Sequence, residues 1–351
     1  MMAGLSTDSD MPLYTVTQFM FHPEHTDSEL ILICNGKRFI IRLTADSFNE
    51  SPQLRERYLY FLRVAEEFEL DGLTVDDFQD WIVEPFHSIL RDVEPLSKEN
   101  VPTLHDFYFA ETHPYTLRVV AEKLIPDSLL VDEVTREFGL RLPEELCSRW
   151  PRFLPSDIGI YAERPEEALS DVPQRVRILG DTNSSIFFLK PAAVGDGGFV
   201  KQELRTYAKI ADAQLEADLR VPRLHGLVRD ENGLVYGFLL TYIHCQASNL
   251  ACAAGSPRTS LNLKQKWATQ VKATVERLHA SGITWGDVKP NNVLIDEKED
   301  AWVVDFGGGY TEGWVSKELT GTVAGDLEGL GKILESLEVI PQETIDGGEI
   351  H

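Results

Sequence analysis

The chain is short of cysteine and of basic residues, and each shortage narrows what it does. Four cysteines, Cys34, Cys147, Cys245 and Cys252, are spread over 351 residues with no C-x-x-C pair and no His/Cys cluster at zinc-ligand spacing. His22 and His25 stand near each other without further ligands and are read as surface residues. The opening residues, MMAGLSTDSDMPLYTV, lack a basic segment followed by an apolar one, so no signal peptide is expected. No apolar run reaches membrane-spanning length. A reduced, cytoplasmic protein with no membrane attachment is the expectation. Lys and Arg number 33 against 57 Asp and Glu, for a net charge of −24. Repulsion on that scale disfavours non-specific attachment to nucleic acid or anionic lipid. It leaves room for a local basic groove, and tRNA is not ruled out. No internal repeat or low-complexity tract interrupts the chain.

What is present belongs to an ordinary folded protein: 43% hydrophobic and 26% charged residues, and length for two or three domains. ELILICNGKRFIIRLT predicts two strands around Asn35-Gly36, a pair that tolerates positive φ and suits a tight hairpin. SPQLRERYLYFLRVAEEFEL and VDDFQDWIVEPFHSILRDV space their apolar residues three and four apart, as amphipathic helices do. YTLRVVAEKLI reads as one further strand. Pro143, Pro151 and Pro155 then punctuate the chain, and residues 1–150 are taken as an α+β domain without a motif that carries chemistry.

Beyond that boundary strands come first and helices later. DIGIYAE, QRVRIL and SSIFFLKPA are strand-like, and a helix is expected from about Phe199 to Ala213 after the connector GDGG. RLHGLVRD and LVYGFLLTYI return to strands around the turn RDENG. NLKQKWATQVKATVERLHASG is a long helix closed by Gly282. Directly after it comes ITWGDVKPNNVLI, and then AWVVDFGGGY, a strand ending in Asp305-Phe306-Gly307.

These two segments resemble the protein-kinase superfamily, whose catalytic loop H-R-D-x-K-P-x-N and metal-binding D-F-G occur in this order. Asp287-Val288-Lys289-Pro290-Asn291-Asn292 matches that loop from its Asp onward, and the family's separation to the D-F-G Asp is kept. The resemblance implies a two-lobed kinase-like fold of α+β class. Residues 151–243 would form an N-lobe of antiparallel sheet plus helix, and residues 244–351 a truncated, mainly helical C-lobe. It implies ATP and Mg²⁺ as cofactors, with Asp287 accepting the proton of a substrate hydroxyl and Lys289 offsetting phosphoryl charge. Asn292 and Asp305 would hold the metal through hard oxygen donors. Lys190 would contact nucleotide phosphates, with Glu203 as its ion-pair partner and Glu216 as an alternative at longer range. Tyr242 and Ile243 would offer backbone groups to adenine. Asp326, in GDLEGLGKIL, would brace the catalytic loop through backbone amides, or else serve only as a helix N-cap.

The pattern also departs from the family. No glycine occurs in AERPEEALSDVP, where a phosphate-cradling loop would lie, and three glutamates stand there instead. H-R-D has become Trp285-Gly286-Asp287, so switching by a phosphorylated activation loop is not expected, and Trp285 would fill the space of the His by packing on Phe306. Only GGYTEGWVSKELTGTVAG separates Phe306-Gly307 from Asp326, no A-P-E follows, and little chain remains for late helices that dock peptides. A small molecule or a specially presented macromolecule is therefore the expected substrate. The whole set is similar to a group of fungal atypical kinase-like proteins that often accompany secondary metabolism. Three functions follow: an ATP- and magnesium-dependent phosphotransferase; a kinase frame turned to another transfer, such as arginine-containing cyclodipeptide synthesis from aminoacyl-tRNA; or a pseudokinase scaffold. On the second reading an acidic pocket would hold an arginine side chain.

Overall fold

The computed structural model describes residues 12–337 apart from 23, 97–100, 131–137, 183, 194, 196, 217–218 and 246–248, and the backbone alone at 166. The signal-peptide reading of the first residues lies largely outside this range. Two compact units emerge from the packing. One holds residues up to 138 together with 154–186, and the other holds 139–153 together with 187 onward. The division therefore does not fall at residue 150.

The first unit opens with three antiparallel strands, β1 (Tyr14–His22), β2 (Asp27–Cys34) and β3 (Lys37–Leu43). β2 and β3 meet at Asn35 (φ +47°) and Gly36 (φ +77°), as the Asn-Gly pair predicts. α1 (Pro52–Glu67) starts behind the N-cap Ser51, whose Oγ accepts from the Leu54 amide. A two-stranded ribbon, β4 (Glu69–Leu70) and β5 (Leu73–Thr74), leads into α2 (Val75–Val83). The second predicted helix is interrupted: Pro85 sits in a 3-10 turn (Glu84–Phe86) before α3 (His87–Arg91), because proline cannot donate to a continuing helix. After α4 (Leu104–Tyr108), YTLRVVAEKLI is a hairpin and not one strand. β6 (Glu111–Val120) and β7 (Lys123–Ser128) turn at Ala121 (φ +50°) and Glu122 (φ +60°). Neither residue signals a turn, so the pairing of the two strands, rather than local chemistry, imposes it.

The strand order is β1-β2-β3-β6-β7, with β3 and β6 parallel. One face is covered by α1, α2 and their neighbours, with Phe48, Tyr58, Phe61, Phe78 and Trp81 at the centre of the core.

The chain then runs through β8 (Leu140–Arg141), α5 (Glu144–Cys147) and β9 (Arg152–Phe153), all in the second unit, before the first unit resumes with β10 (Ile158–Ile160) paired to β11 (Arg175–Ile178). The glycine-free segment between β10 and β11 is not a free loop. The Leu169 carbonyl accepts from the Gly36 amide (3.0 Å), the Ser170 hydroxyl accepts from the Asn35 amide (2.9 Å), and Ser170 is fully buried. A Cβ on Gly36 would lie 3.0 Å from Leu169 Cδ1, so this hairpin needs glycine for its close approach as well as for its φ.

In the second unit β12 (Ile186–Pro191), β14 (Leu234–Thr241) and β13 (Leu224–Arg229) form an antiparallel sheet. β9 adds in parallel to β13, and β8 pairs with β14. Arg149 bridges to Asp212 (2.6 Å) and Arg229 to Glu144, which fastens 139–153 onto this unit. α6 (Gly197–Asp212) precedes β13. After β14 follow α7 (Leu250–Gly255), α8 (Leu261–Ala280), the ribbon β15 (Val293–Ile295)–β16 (Ala301–Val303) and α9 (Val323–Ser336). Among the described residues no helix is long and apolar enough to cross a membrane.

The β15–β16 turn is held by charge. Asp300 accepts from Gln270 Nε2 (2.7 Å), Lys266 Nζ (3.0 Å) and Arg220 Nη2 (3.2 Å). Burial alone would raise its carboxyl, but these donors outweigh it and bring it from 3.8 down to about 2. A depressed carboxyl contributes stability above its unfolded pKa and loses it as pH falls through the folded one. The thermal midpoint should therefore drop between about pH 4 and about pH 2 more steeply than in Asp300→Asn, the difference amounting to about 1 kcal/mol after solvent screening. Parallel acid titrations of the two proteins by circular dichroism measure it.

Candidate active site

Three separate elements of the second unit converge on Lys190. It leaves β12 opposite Phe238 of β14, and its Nζ lies 2.7 Å from Glu203 Oε2 on α6 and 2.8 Å from Asp305 Oδ1 after β16. Burial would pull the ammonium down, but the Glu203 and Asp305 carboxylates outweigh it, and the Lys190 pKa is raised. Lys190 is therefore a fixed positive charge at neutral pH. Glu203 is 2% exposed and its Oε1 has no hydrogen-bond partner among the described residues. Glu216 is not part of this site: it pairs with Arg277 and its side chain is 74% exposed.

The loop after α8 is built around a second buried carboxylate. α8 ends at the C-cap Ser281, and Gly282 (φ +69°) turns the chain so that the Ile283 amide returns to the Leu278 carbonyl. Asp326, 1% exposed, accepts from the Trp285 amide (2.7 Å) through Oδ2 and from the Gly286 amide (2.8 Å) through Oδ1. His279 Nε2 also lies 2.8 Å from Oδ2, which joins the end of α8 to α9. The N-cap of α9 is Thr322, whose Oγ1 accepts from the Gly325 amide, so Asp326 braces the loop and does not cap the helix. The Trp285 indole is 1% exposed and donates to the Val304 carbonyl (2.9 Å), one residue before Asp305. Trp285 and Phe306 share one core cluster, and the Phe306 ring meets Tyr207 edge-on at 5.8 Å.

Asp287 is 7% exposed and every side of its carboxylate is engaged. Oδ2 pairs with Lys289 Nζ (2.7 Å) and accepts from Asn292 Nδ2 (2.8 Å). The same Nδ2 donates to the Asp287 carbonyl (2.9 Å), which leaves the Asn292 carbonyl oxygen turned away from Asp287. Oδ1 accepts from the hydroxyl of Thr311 (3.2 Å), which in turn accepts from Lys289 Nζ (3.0 Å). Sequence reasoning missed both Thr311 and His279.

The carboxylates of Asp305 and Asp287 flank one strip of three glycines. A Cβ on Gly307 would lie 3.5 Å from Asp305 Oδ1, and one on Gly309 would lie 3.4 Å from Asp287 Cγ. Because consecutive Cα atoms are about 3.8 Å apart, the two carboxylates are separated by only a few residues' reach. Backbone pairing supports this: the Val304 amide donates to the Asn292 carbonyl (3.0 Å). Beside the strip opens a cavity of about 460 Å³, whose described lining includes Gly195, Gly198, Phe199, Gln202, Thr284, Trp285 and the glycines.

Hard oxygens are what this donor set offers a cation. Asp305 and the Asn292 carbonyl fit magnesium, which binds through one or two protein oxygens and completes its shell with water and phosphate. No cluster of three or more His, Cys, Asp or Glu side chains able to cage an ion occurs among the described residues. The expected adenine contacts lie just past β14: Ile243 is buried, its carbonyl accepts from the Cys245 amide (2.8 Å), and Tyr242 packs edge-on against His244.

Residues 219–324 match the protein kinase domain family. Over 129 residues the chain is 29% identical to mitogen-activated protein kinase kinase kinase 17 of Arabidopsis thaliana, a stretch covering 36% of this chain and 34% of that protein. The match thus spans about a third of the length of that relative. An antiparallel sheet with its helix and a mainly helical C-terminal region accompany this match, so residues 219–324 are similar to a protein kinase domain.

Proposed function

We propose that the second unit is an ATP- and magnesium-dependent phosphotransferase acting on the hydroxyl of a small molecule. The observation that carries this reading is the convergence of Lys190, Glu203 and Asp305 at one end of Gly307–Gly309, and of Asp287, Lys289 and Asn292 at the other. Lys190, held by two carboxylates, faces nucleotide phosphate as a positioned charge. Asp287 receives the proton of the attacking hydroxyl, and Lys289 beside it offsets charge on the group in transfer. Asp305 and Asn292 hold magnesium, which neutralises phosphate charge when bound. Tyr242 and Ile243 border the adenine. Trp285, Phe306 and Asp326 act by keeping these groups in place. The cavity beside the strip is of the size that small ligands occupy, which supports a small-molecule acceptor.

Labelled ATP with magnesium should give hydrolysis or transfer in the purified protein and none in Asp305→Ala. Equal activity in both removes this reading. Crowding the strip tests it differently. Gly309→Val places branched carbon against the Asp287 carboxylate at a backbone φ of +156° that favours glycine, so turnover should fall by about 10–10²-fold and the thermal midpoint should fall with it.

A binding role without catalysis is the second reading. It is favoured by the acidic segment between β10 and β11, which is tied to the Asn35-Gly36 hairpin and offers no glycine amides to phosphate. A thermal-shift series with ATP, ADP and AMP plus metal decides between the two, since a ligand that binds only the folded form raises the midpoint.

A further inference from the structure

Three hydrogen-bonding side chains without a use in the transfer step meet at the cavity beside the glycine strip. Thr320 lines it, and its Oγ1 is buried with no hydrogen-bond partner among the described residues. A buried hydroxyl left so is destabilising, and a ligand that hydrogen-bonds to it recovers the loss. Gln202 of α6 and Thr284 line the cavity as well. Each of the three stands beside an anchored neighbour. Gln202 precedes Glu203, which Lys190 holds (2.7 Å). Thr284 lies between Ile283 and Trp285, both 1% exposed. Thr320 follows a 3-10 turn (Lys317–Leu319) whose last carbonyl accepts from the hydroxyl of Thr322, the N-cap of α9 (2.7 Å). The polar groups are therefore set before a ligand arrives, which lowers the ordering cost of binding. The Phe199 ring, 57% exposed, lines the same cavity and offers it an apolar face. Gly309 belongs to the lining too and lies against Asp287, so a molecule seated here is one side-chain-free residue away from the base.

We propose that this cavity holds the body of the acceptor and selects a polyhydroxylated ring, a sugar or cyclitol, an inference that rests on the phosphotransferase reading above. Hydroxyl and amide side chains both donate and accept, which is what adjacent ring hydroxyls require. The C–H face of such a ring packs on Phe199. Thr320 determines specificity, because its buried hydroxyl is matched only by an acceptor that carries a second hydrogen-bonding group. One ring hydroxyl passes over Gly309 and takes the place of the Thr311 hydroxyl at Asp287 Oδ1. Its oxygen bonds to the γ-phosphorus of ATP, the bond from that phosphorus to the β-γ bridging oxygen breaks, and ADP leaves with the electron pair. The hydroxyl proton passes to Asp287. The products are ADP and a phosphate monoester of the ring.

Full-length protein with ATP and magnesium is offered myo-inositol, D-glucose and D-ribose, beside glucosamine, glucuronate and a serine peptide, with ADP release and product mass as readouts. A neutral ring polyol should accelerate ADP release and gain one phosphate. For that acceptor Thr320→Val should raise KM by about 10–10²-fold, with the KM for ATP unaltered. Among its monodeoxy analogues, one should show the same loss with the wild type and no further loss with Thr320→Val, as a direct hydrogen bond requires. Phe199→Ala, at an exposed position, should raise the same KM. Without ligand, the thermal midpoint of Thr320→Val should not fall, because the exchange removes an unpartnered buried hydroxyl. A lowered midpoint means that this hydroxyl holds the fold and overturns its assignment to the acceptor. Transfer only to the charged sugars or the peptide, or an unaltered KM in Thr320→Val, overturns the inference and leaves the phosphotransferase reading intact. So does magnesium-dependent ATP hydrolysis that no ring polyol accelerates. No ATP turnover under any of these conditions overturns both readings.

Discussion

Asp287→Asn should lower phosphoryl transfer by about 10²–10⁴-fold, the range over which a positioned general base contributes. The change is nearly isosteric, so the amide still fits between Lys289, Asn292 and Thr311, but it cannot take up a proton. The loss should fall on kcat, with the KM for ATP little altered, because the proton moves only on the way to the transition state. Steady-state kinetics over a range of ATP concentrations, beside a thermal melt showing an intact fold, measure this split. A matching fall in ATP affinity would mean that Asp287 holds nucleotide instead.

Asp326→Ala should produce a large loss of stability in the second unit. The carboxylate is 1% exposed and answers two backbone amides and His279. Removing it strands the Trp285 and Gly286 amides and the imidazole in a packed interior, where water does not replace the lost acceptor. Breaking a buried charged network in this way costs about 3–5 kcal/mol. Asp326→Asn keeps one acceptor oxygen and should lose less. Denaturant melts of both variants give the comparison. Because Asp326 fixes the backbone just before Asp287, the alanine protein should also lose turnover under conditions where it remains folded.

The residues of the site were legible because each carries its chemistry in local order. Asp287, Lys289 and Asn292 lie within one short loop, and Asp305 ends a strand whose partner follows that loop. Lys190 was read from a strand end and Glu203 from the helix after it, with Glu216 as the alternative, and the ion pair forms with Glu203. The expected bracing by Asp326 is likewise present as two amide contacts.

What was not legible depends on contacts that no local pattern encodes. Thr311 reaches Asp287 only because three glycines and a turn bring a distant residue back to the loop. His279 reads as an ordinary residue in the last turn of α8 until α9 supplies its partner. Residues 139–153 look like a proline-punctuated linker, yet Leu142 and Cys147 enter the core of the second unit and Arg152-Phe153 extends its sheet. The acidic segment between β10 and β11 gave no sign that Leu169 and Ser170 would be bound by a hairpin more than a hundred residues earlier. At Ala121-Glu122 the sheet overrode weak turn propensity.

The most direct test is a calorimetric titration of ATP into the protein with and without magnesium, repeated in Asp305→Ala. Metal should tighten nucleotide binding in the wild type, and that dependence should vanish in the variant. Failure of ATP to bind, or binding that is equally strong in both proteins and indifferent to magnesium, would contradict a phosphate site organised by Asp305 and Asn292.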